Sequence, residues 1–573
     1  MTQPHGSAGD GRPPRVVLFR ANAIDSDSRA KKFSLSLARL GYDVHVLSAE
    51  EAPAPTGPRH LGPVAVHPVL MTHARRDVHK LVLGARRRRQ FRVVDWTPLD
   101  EYVTRVAELK KRTRISRRRA DQWRSPDPQA PDRPPAWAPI WLALRLVHAA
   151  DRLTLSARRL RWRLQWAINV GYRQAWREWD ARKSATAVLA STRGTLPEIE
   201  DYAASFAKVL DRLEPDVIHA HHPLVLGTAV RAARRRRALG HPCQVVYDAR
   251  ENFAGIPPEE QGNVRRHAVL VREEARYIRE ASAVITVSEP IADVLHERYQ
   301  LAHRPEVILN VPVRDPDVPE PGALAAGRTV RDAAGLPATV PLLVYSGAVS
   351  AARGIDVLVD ALPHLPGVHL ALVTVPFPHP RTPGLLERAT ALGVADRIHP
   401  LPPVGQDELL HYLSGADVAV HPMPGGSPNH DQALPNKLFE YLHAGLPLAV
   451  SDAKLMADFV TRNGLGEVFR SGDAAGLAEA VRRLLTPGRS RPSREWLATR
   501  YSWQAQEKQI EALYALVHPV DTLFRVGADR LPASFPDLRV GVGPVLVDAS
   551  GAGSGPLESP AAQASPREPS STP

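Results

Sequence analysis

Two successive sets of alternating strand-like and helix-like segments constrain the fold of this chain more than any other feature. The first set opens with the apolar, β-branched run RVVLFRA (15–21), carries apolar residues at helical spacing over 29–40, and returns to a strand-like run, YDVHVLS (42–48). The second set opens with PLLVYSG (341–347) and alternates in the same way to about residue 485. Continuous apolar runs are typical of strands that are buried on both faces of a parallel sheet. The alternation therefore predicts two doubly wound, Rossmann-like α/β domains, with ligands bound in the cleft that faces the carboxyl ends of the strands.

The same pattern predicts where the domains begin and end. It breaks off between about 72 and 195, which we interpret as a helical insertion in the first domain, and it predicts one long helix over 494–517. Residues 1–14 are polar, and the end of the chain thins into Gly, Ser, Pro and Ala, a composition that favours disorder. The predicted segments are 1–14 disordered, 15–312 first domain, 313–496 second domain with a linker at 315–327, 497–517 terminal helix, and 518–573 mostly disordered tail.

Composition excludes several classes of protein. The single cysteine, Cys243, permits no internal disulfide, so a disulfide-stapled secreted module is excluded and a reducing compartment is favoured. The longest uncharged apolar stretch is Pro134–Leu144, well short of the roughly 20 residues that span a bilayer. The amino terminus lacks the apolar core of a signal peptide. We therefore expect a cytoplasmic protein, with peripheral contact to the inner face of the membrane as an option.

The net charge of +13 is concentrated in one segment. Residues 85–183 hold 25 Lys/Arg and 10 Asp/Glu, a net charge of +15, which leaves −2 for the rest of the chain. Arginine beside tryptophan raises the options of nucleic-acid binding, a solvated helical lid, and contact with an anionic membrane. We favour the membrane, because apolar residues recur along one helical face with the arginines largely off it, and we regard nucleic acid as the weakest option. The face comprises Leu142, Leu146, Ala149, Leu153, Leu160, Leu164 and Ala167; the arginines are Arg145, Arg152, Arg159 and Arg163; the tryptophans are Trp96, Trp123, Trp137, Trp141, Trp162, Trp166, Trp176 and Trp179.

The strongest candidate for chemistry is HDQALPNKLFEYLHAGLPLAVSD (430–452). Pro435 suits the first position of a helix, where its missing N–H is no loss. The backbone N–H groups of 436–438 would then form an anion site, to which Lys437 adds a cation. Glu440 lies one turn further on and can accept two hydrogen bonds from a vicinal diol such as a ribose. An ordinary amphipathic helix with an exposed Lys–Glu face is the alternative.

A second candidate is YSGAVSAARGIDVLVDAL (345–362), in which Gly347 closes a strand and Arg353 and Gly354 precede a helix. A glycine-lined turn between strand and helix, with an arginine at its end, can hold a diphosphate. The segment is neither a Walker A loop nor a GxGxxG turn, and alone it is a weak signal.

Together and in this order, the two segments resemble the carboxyl-terminal half of family 4 glycosyltransferases of the GT-B fold. The resemblance extends back to SAVITVSEPIADVLHERY, VILNVPV, DVIHAHHPLVLGTAV and VVYDAREN, and to DSRAKKFSLSLARLGYDVHVLS in the first strand–helix–strand unit. The last predicted helix, with Trp503 and Tyr514, looks like the family's terminal helix that packs back on the first domain. The similarity covers roughly 15–70 and 196–517.

The resemblance implies an acceptor-binding first domain, a nucleotide-sugar-binding second domain, and transfer with retention, without metal and without a resident cofactor. It implies that Glu440 holds the ribose, that Arg353 and the 435–438 amides hold the diphosphate, and that Lys437 assists. We expect the acceptor to be a lipid-linked or cell-envelope glycan. The further residues implied in substrate binding are Gly347, His430, Asp431, Gln432, Pro435, Asn436, Leu438, His221, Arg250, Glu251, Ser288 and Arg29.

Four positions depart from the family pattern. Ala348 stands where the family usually has arginine, Arg353 where it has lysine, Gln432 where it has the first of two glutamates, and Arg250 where a histidine is often found. These departures keep two alternatives open, a nucleotide-sugar epimerase that uses Asp248 and Glu251, and a binding protein without catalysis.

A cluster of three histidines is the remaining candidate. His219, His221 and His222 crowd one strand end, where they would form a cleft wall, a plain surface or, least favoured, a zinc site. Two DxD matches, Asp25–Asp27 and Asp315–Asp317, are read as chance.

Overall fold

The structure is a computed structural model that contains two separate parallel sheets. It describes residues 12–50, 59–71, 73, 99–122, 142–161, 164, 196, 198–258, 264–313, 328–486, 493–519 and 541–542. The predictions for 1–11, for the 315–327 linker, for residues beyond 542 and for the eight tryptophans of the insertion lie outside the described residues.

The first sheet has nine strands in the order β15-β3-β4-β2-β1-β5-β6-β7-β8. Its strands run parallel except at β3, which pairs antiparallel with both β4 and β15. The strands are β1 Arg15–Arg20, β2 Asp43–Glu50, β3 Arg59–Leu61, β4 Val64–Leu70, β5 Val217–His221, β6 Gln244–Asp248, β7 Ala283–Thr286, β8 Glu306–Val307 and β15 Gly541–Val542.

The second sheet has six strands, all parallel, in the order β11-β10-β9-β12-β13-β14. Both sheets reverse their strand order next to the first strand of the domain, and this switch point is where doubly wound sheets bind ligands. The strands are β9 Leu342–Gly347, β10 His369–Thr374, β11 Ile398–Leu401, β12 Val418–His421, β13 Leu448–Ser451 and β14 Gly466–Phe469.

Helices flank both sheets and also form the described part of the insertion. In the first domain they are α1 Ser28–Arg39, α2 Leu99–Gln122, α3 over 142–161, α4 Glu198–Leu213, α5 Pro223–Ala238, α6 Val264–Tyr277 and α7 Glu289–Tyr299. Beyond it they are α8 Val330–Ala334, α9 Asp356–Ala361, α10 Thr382–Ala391, α11 Leu409–Leu413, α12 Pro428–Asp431, α13 Asn436–His443, α14 Lys454–Arg462, α15 Ala474–Leu485, α16 Arg494–Arg500 and α17 Trp503–Val517. None of these described helices is long and apolar enough to cross a bilayer.

The structure corrects three expectations about secondary structure. The helix predicted over 494–517 is broken at 501–502, because the Ser502 side chain accepts the Ala505 N–H and starts a new helix. In the first domain, β4 is the second strand of a hairpin whose first strand is β3. Residues 12–14 are ordered, since Arg12 pairs with Asp216 at 2.9 Å. Residues 541–542 of the expected tail form β15, which satisfies backbone groups at the edge strand β3.

The terminal helix α17 packs back on the first sheet. The Trp503 ring is fully buried, donates its Nε1–H to the Ser36 hydroxyl at 2.8 Å, and meets Phe33 edge to face. The Trp503 backbone N–H donates to the Pro312 carbonyl at 2.8 Å, and the Tyr514 hydroxyl bonds His219 Nδ1 at 2.7 Å. Helix α17 therefore contacts α1, the segment at Pro312 that leads from the first domain to the second, and strand β5.

We expect Trp503→Ala to lower the free energy of unfolding by about 3–5 kcal/mol, because it removes a fully buried indole and leaves a cavity. Trp496, which is only half-buried beside Tyr501, offers a matched control, and Trp496→Ala should cost clearly less. Denaturant unfolding of both variants checks this. Equal losses of unfolding free energy in the two variants would mean that α17 is not a main contact holding the domains together.

Candidate functional site

Three chain segments of the second domain converge at the carboxyl edge of its sheet: the end of β9, the end of β12 and the start of α13. A Cβ on Gly347 would lie 3.8 Å from Lys437 Cε, which places the end of β9 against the start of α13. The ring of His421, the last residue of β12, is buried, and this burial, followed by the nearby charges of Arg353 and Lys437, lowers its pKa. The structure therefore brings together Gly347, Arg353, Lys437 and Glu440, as the sequence predicted for one binding site.

A glycine holds the loop before Arg353 in place. Gly354 has φ +66°, and a Cβ there would lie 2.6 Å from the Pro422 carbonyl oxygen, so only glycine permits this approach of the loop to β12. The Arg353 side chain is exposed, and its guanidinium has no hydrogen-bond partner among the described residues. An exposed arginine on a loop that is held against β12 suits an anionic ligand.

Glu440 is held by its own helix. Its carboxylate is largely buried and accepts one hydrogen bond from Asn436 Nδ2 at 2.9 Å and one from Lys437 Nζ at 2.7 Å. These contacts fix the carboxylate facing the start of the helix. The alternative of an exposed Lys–Glu face is wrong, because Glu440 is buried and Lys437 is only partly exposed.

The helix start offers fewer free amides than the sequence suggested. Pro435 takes the N-cap position, one residue before the predicted one, in an extended conformation. The Leu438 N–H donates to the Pro435 carbonyl at 3.1 Å, and the Leu438 side chain is buried in the core. The predicted role of Leu438 as an amide donor is therefore not supported, and the amides of Asn436 and Lys437 remain for a ligand.

His421 is a residue that the sequence analysis missed. It is buried, both ring nitrogens lack a hydrogen-bond partner among the described residues, and burial, followed by the charge of Arg353, lowers its pKa to about 3. The signal was present in the sequence, since one histidine closes the apolar run DVAV at a strand end. A neutral imidazole beside two cations adds a polar group to the floor of the site.

The predicted residues before α13 have structural partners. His430 Nδ1 bonds the Pro424 carbonyl at 2.9 Å. The Asp431 carboxylate accepts the backbone N–H groups of Gly426 and Lys454 at 3.1 and 3.2 Å. These bonds shape the loop that leads into the site.

Gln432 bridges the two domains. Its side-chain oxygen accepts from Asn252 Nδ2 at 2.8 Å, and its backbone carbonyl accepts from the Ser288 hydroxyl at 2.6 Å. Asn252 also donates its backbone N–H to the Asn429 side chain at 2.9 Å. Ser288 and Gln432, predicted as substrate contacts, thus form a contact between the domains, a role that sequence separation concealed.

The first domain contributes a buried network of charges at the carboxyl ends of β1, β5 and β6. Asp248 accepts from Arg29 Nε at 2.9 Å and from Arg250 Nε at 3.0 Å, and its carboxylate lies 2.9 Å from His221 Nδ1. Arg250 also donates both terminal nitrogens to Asp27 at 3.0 Å. The structure therefore brings Arg29, His221 and Arg250 together, with Asp27 and Asp248 as their anchors.

The electrostatics of this network follow from burial and pairing. Burial would raise the pKa of Asp248, but Arg29 and Arg250 outweigh it and hold this pKa well below its usual range. Burial, followed by the charge of Arg29, lowers the pKa of Lys32 to about 7, and Glu440 opposes that shift from the other domain. Lys32 is buried, with its Nζ donating to Asn310 Oδ1 at 3.0 Å and to the Val311 carbonyl at 2.6 Å, and it lies within electrostatic reach of both the first-domain network and Glu440.

The histidine cluster is buried at the base of this network. His219 and His221 stack with their ring centroids 4.3 Å apart, so the expectation of a plain surface is wrong for them. Their ring nitrogens and an Asp248 oxygen lie within 4.8 Å of one another, close enough to hold a metal ion. The donor set does not fit a cation, however, because Asp248 is already shared by two guanidinium groups, and the Arg250 guanidinium lies 2.7 Å from His221 Nδ1.

Two other predictions fall on exposed or structural positions. Glu251 is exposed. Asp27, the second acid of one DxD match, caps α1 by accepting the backbone N–H groups of Arg29 and Ala30. Its pairing with Arg250 and Arg20 engages the rest of the carboxylate.

Comparison with known proteins gives matches in both domains. Residues 181–311 match the family model described as Glycosyltransferase Family 4, and residues 340–487 match the model described as Glycosyl transferases group 1. The chain is 27% identical over 276 residues to the D-inositol 3-phosphate glycosyltransferase of Xylanimonas cellulosilytica, covering 47% of this chain and 63% of that protein. It is 28% identical to the enzyme of that name from Mycolicibacterium smegmatis, over 41% of this chain and 54% of the relative. The match thus spans about half to just under two thirds of these relatives.

A solved structure shows the same architecture. The sucrose-phosphate synthase of Thermosynechococcus elongatus superposes with a TM-score of 0.54 at 14% identity, covering 87% of this chain and 98% of that one. The predicted arrangement of two doubly wound domains, the GT-B fold, is confirmed.

The buried histidines predict how stability depends on pH. Burial, followed by the charges of Arg20 and Arg250, lowers the pKa of His222 to about 3, so this ring stays neutral in the folded state and gains a proton on unfolding below pH 6.5. Stability that is complete above pH 6.5 is therefore lost as the pH falls toward the folded pKa. We expect the free energy of unfolding to fall from pH 7 to 5, with His222 contributing at most about 1.4 kcal/mol per pH unit.

His222→Asn should flatten that dependence. Asparagine can keep the cap that the His222 side chain gives to the Leu224 N–H. The exposed His241 provides the control, since His241→Asn should leave the slope as it is. Denaturant unfolding at several pH values measures both, and an unchanged slope in His222→Asn would contradict the assignment.

Proposed function

Because each domain matches a glycosyltransferase family model, we propose that the chain moves a sugar from a nucleotide-diphosphate donor to an acceptor hydroxyl, with the donor held by the second domain. The observation that carries this proposal is the convergence of Arg353, Lys437 and Glu440 at one strand edge. Two cations and a helix start suit a diphosphate, and the carboxylate one turn on suits a diol. The names of the similar proteins, all transferases of sugars, agree with this arrangement.

The proposed mechanism depends on charge stabilisation. As the bond between sugar and diphosphate breaks, negative charge grows on the departing phosphate oxygens. Arg353, Lys437 and the amides of 436–437 lie where they can stabilise that charge, which is the largest contribution in many transferases. We propose that these groups take the place of a metal, that no resident cofactor is needed, and that the anomeric configuration is retained.

We propose that Glu440 orients the nucleotide rather than transferring a proton. Its two oxygens already accept hydrogen bonds from Asn436 and Lys437, which fixes their direction toward the helix start. Each carboxylate oxygen can accept a further hydrogen bond, so a ribose diol can bind without displacing either partner. Preorganisation of this kind lowers the entropic cost of binding the donor.

The first domain would bind the acceptor on the opposite wall of the cleft. Its edge carries more positive than negative charge, since Arg20, Arg29 and Arg250 meet only Asp27 and Asp248. A phosphorylated or lipid-linked glycan in the cytoplasm is the acceptor that we propose for such a wall. The epimerase alternative loses support, because Asp248, one of its two candidate acids, is bound by two guanidinium groups.

Glu440→Ala should lower kcat/KM roughly 10- to 150-fold, because a hydrogen bond to a charged partner contributes about 1.5–3 kcal/mol. Glu440→Gln, which keeps the shape and one acceptor oxygen, should lose less. Glu479 is exposed on α15, and Glu479→Ala is the matched control. Release of nucleoside diphosphate from a panel of nucleotide sugars gives the rates, and full activity of Glu440→Ala would remove this residue from the site.

Arg353→Ala should weaken donor binding roughly tenfold or more, and Arg353→Lys should restore only part of it, since lysine cannot make the two parallel bonds of a guanidinium. Arg462 is an exposed arginine on α14, and Arg462→Ala should bind donor normally. Donor KM values for the three variants check this. Identical values would mean that the loop before Gly354 holds no phosphate.

A further inference from the structure

The inserted segment of the first domain contains two helices that pack on each other. Ser116 of α2 bonds His148 of α3 at 3.2 Å, and Arg112 of α2 pairs with Asp151 of α3 at 2.8 Å. Ser116 and Asp151 are buried at this contact. We call α2 and α3 the basic helix pair.

The other face of α3 is apolar and exposed. The leucines of this face are 55–72% exposed, and their spacings of four and seven residues place them on one side of the helix. Residues 146 and 153 each lie two positions, about 200°, from His148 and Asp151, so the leucine face points away from α2. This leucine stripe consists of Leu142, Leu146, Leu153, Leu160 and Leu164.

Arginines line one flank of the leucine stripe. Arg145, Arg152 and Arg159 each precede a stripe leucine by one residue, and all three are exposed. Residues 99–122 and 142–161 together hold 13 Lys/Arg and 5 Asp/Glu, a net charge of +8. An apolar stripe with a basic flank is the pattern of a helix that lies in the headgroup plane of a membrane.

We propose that the basic helix pair binds an anionic lipid surface, with the leucine stripe inserted among the headgroups and the flanking arginines on lipid phosphates. Charge decides against the other occupants. A second copy of the pair would bring +8 against +8, and the rest of 85–183 carries a further +7, so neither supplies acidic cover. Nucleic acid would engage the arginines but leaves five exposed leucines without a purpose. This inference stands independently of the proposed sugar transfer.

Co-sedimentation of the full chain with vesicles tests the proposal. The vesicles are phosphatidylcholine with and without phosphatidylglycerol, at low and high salt. We expect binding to the anionic vesicles, weakened by salt, and little binding to the neutral ones. No binding to anionic vesicles at low salt, or equal binding to both kinds, would overturn the proposal.

Replacing the stripe separates insertion from simple charge attraction. Leu146→Ser/Leu153→Ser/Leu160→Ser should lower the partition coefficient about tenfold or more, because membrane binding scales with inserted apolar area. The matched control is Leu239→Ser/Leu392→Ser/Leu516→Ser, which changes three exposed leucines elsewhere and should bind as the unaltered chain does. Vesicle binding unaffected by the stripe variant would overturn the proposal, as would conversion of a dimer to a monomer in sedimentation velocity.

The arginine flank gives a second, independent variant. Arg145→Gln/Arg152→Gln/Arg159→Gln should lower binding to anionic vesicles about fivefold per residue replaced. All six replaced side chains are exposed, and the thermal midpoint of each variant, measured beside vesicle binding, shows whether its fold is retained. Unchanged vesicle binding in the arginine variant, or RNA that displaces the vesicles at equal phosphate concentration, would contradict the lipid assignment.

Discussion

The double salt bridge at Asp248 is the interaction on which the rest of the molecule depends. Arg29 and Arg250 grip its buried carboxylate from two different parts of the chain, and Arg29 also donates to the Ile308 carbonyl at 2.7 Å where the chain leaves the first domain. Breaking one partner of a buried ion pair typically costs about 3–5 kcal/mol, because a bare charge remains. These bonds therefore connect helix α1 with the carboxyl ends of β1 and β6. They also hold the segment near Ile308 that leads from the first domain to the second.

The salt bridges of Asp248 with Arg29 and Arg250 set the geometry of the cleft. Helix α1 is held by Asp248 through Arg29, is covered by Trp503 from the terminal helix, and brings Lys32 within the field of Glu440. On the other side, Gln432 joins Asn252 and Ser288, so the two domains meet on both sides of the opening. The cations of the second domain and the arginines of the first-domain network then lie close to one another, an arrangement that favours anionic ligands.

Local pattern predicted much of this structure and part of the site. The strands were predicted from apolar runs in the sequence. Lys437 and Glu440 lie three residues apart, so their pairing follows from helical geometry alone. The grip of Arg29 on Asp248 joins residues 219 positions apart, and the bond between Asn252 and Gln432 spans 180, which no local pattern encodes. The break at Ser502 was missed because apolar periodicity outweighed the cap signal, and His421 because a strand-end histidine resembles a core position until its neighbours are known.

Nucleoside diphosphate binding tests the central claim, that the edge formed by β9, β12 and α13 is a diphosphate site. Titration calorimetry would compare uridine, guanosine, adenosine and thymidine diphosphates with their nucleosides, using the unaltered chain and Arg353→Ala. The account predicts that at least one diphosphate binds tenfold or more tightly than its nucleoside, and that Arg353→Ala removes most of this difference. Diphosphates that bind no better than nucleosides, or a difference that survives in Arg353→Ala, would contradict it.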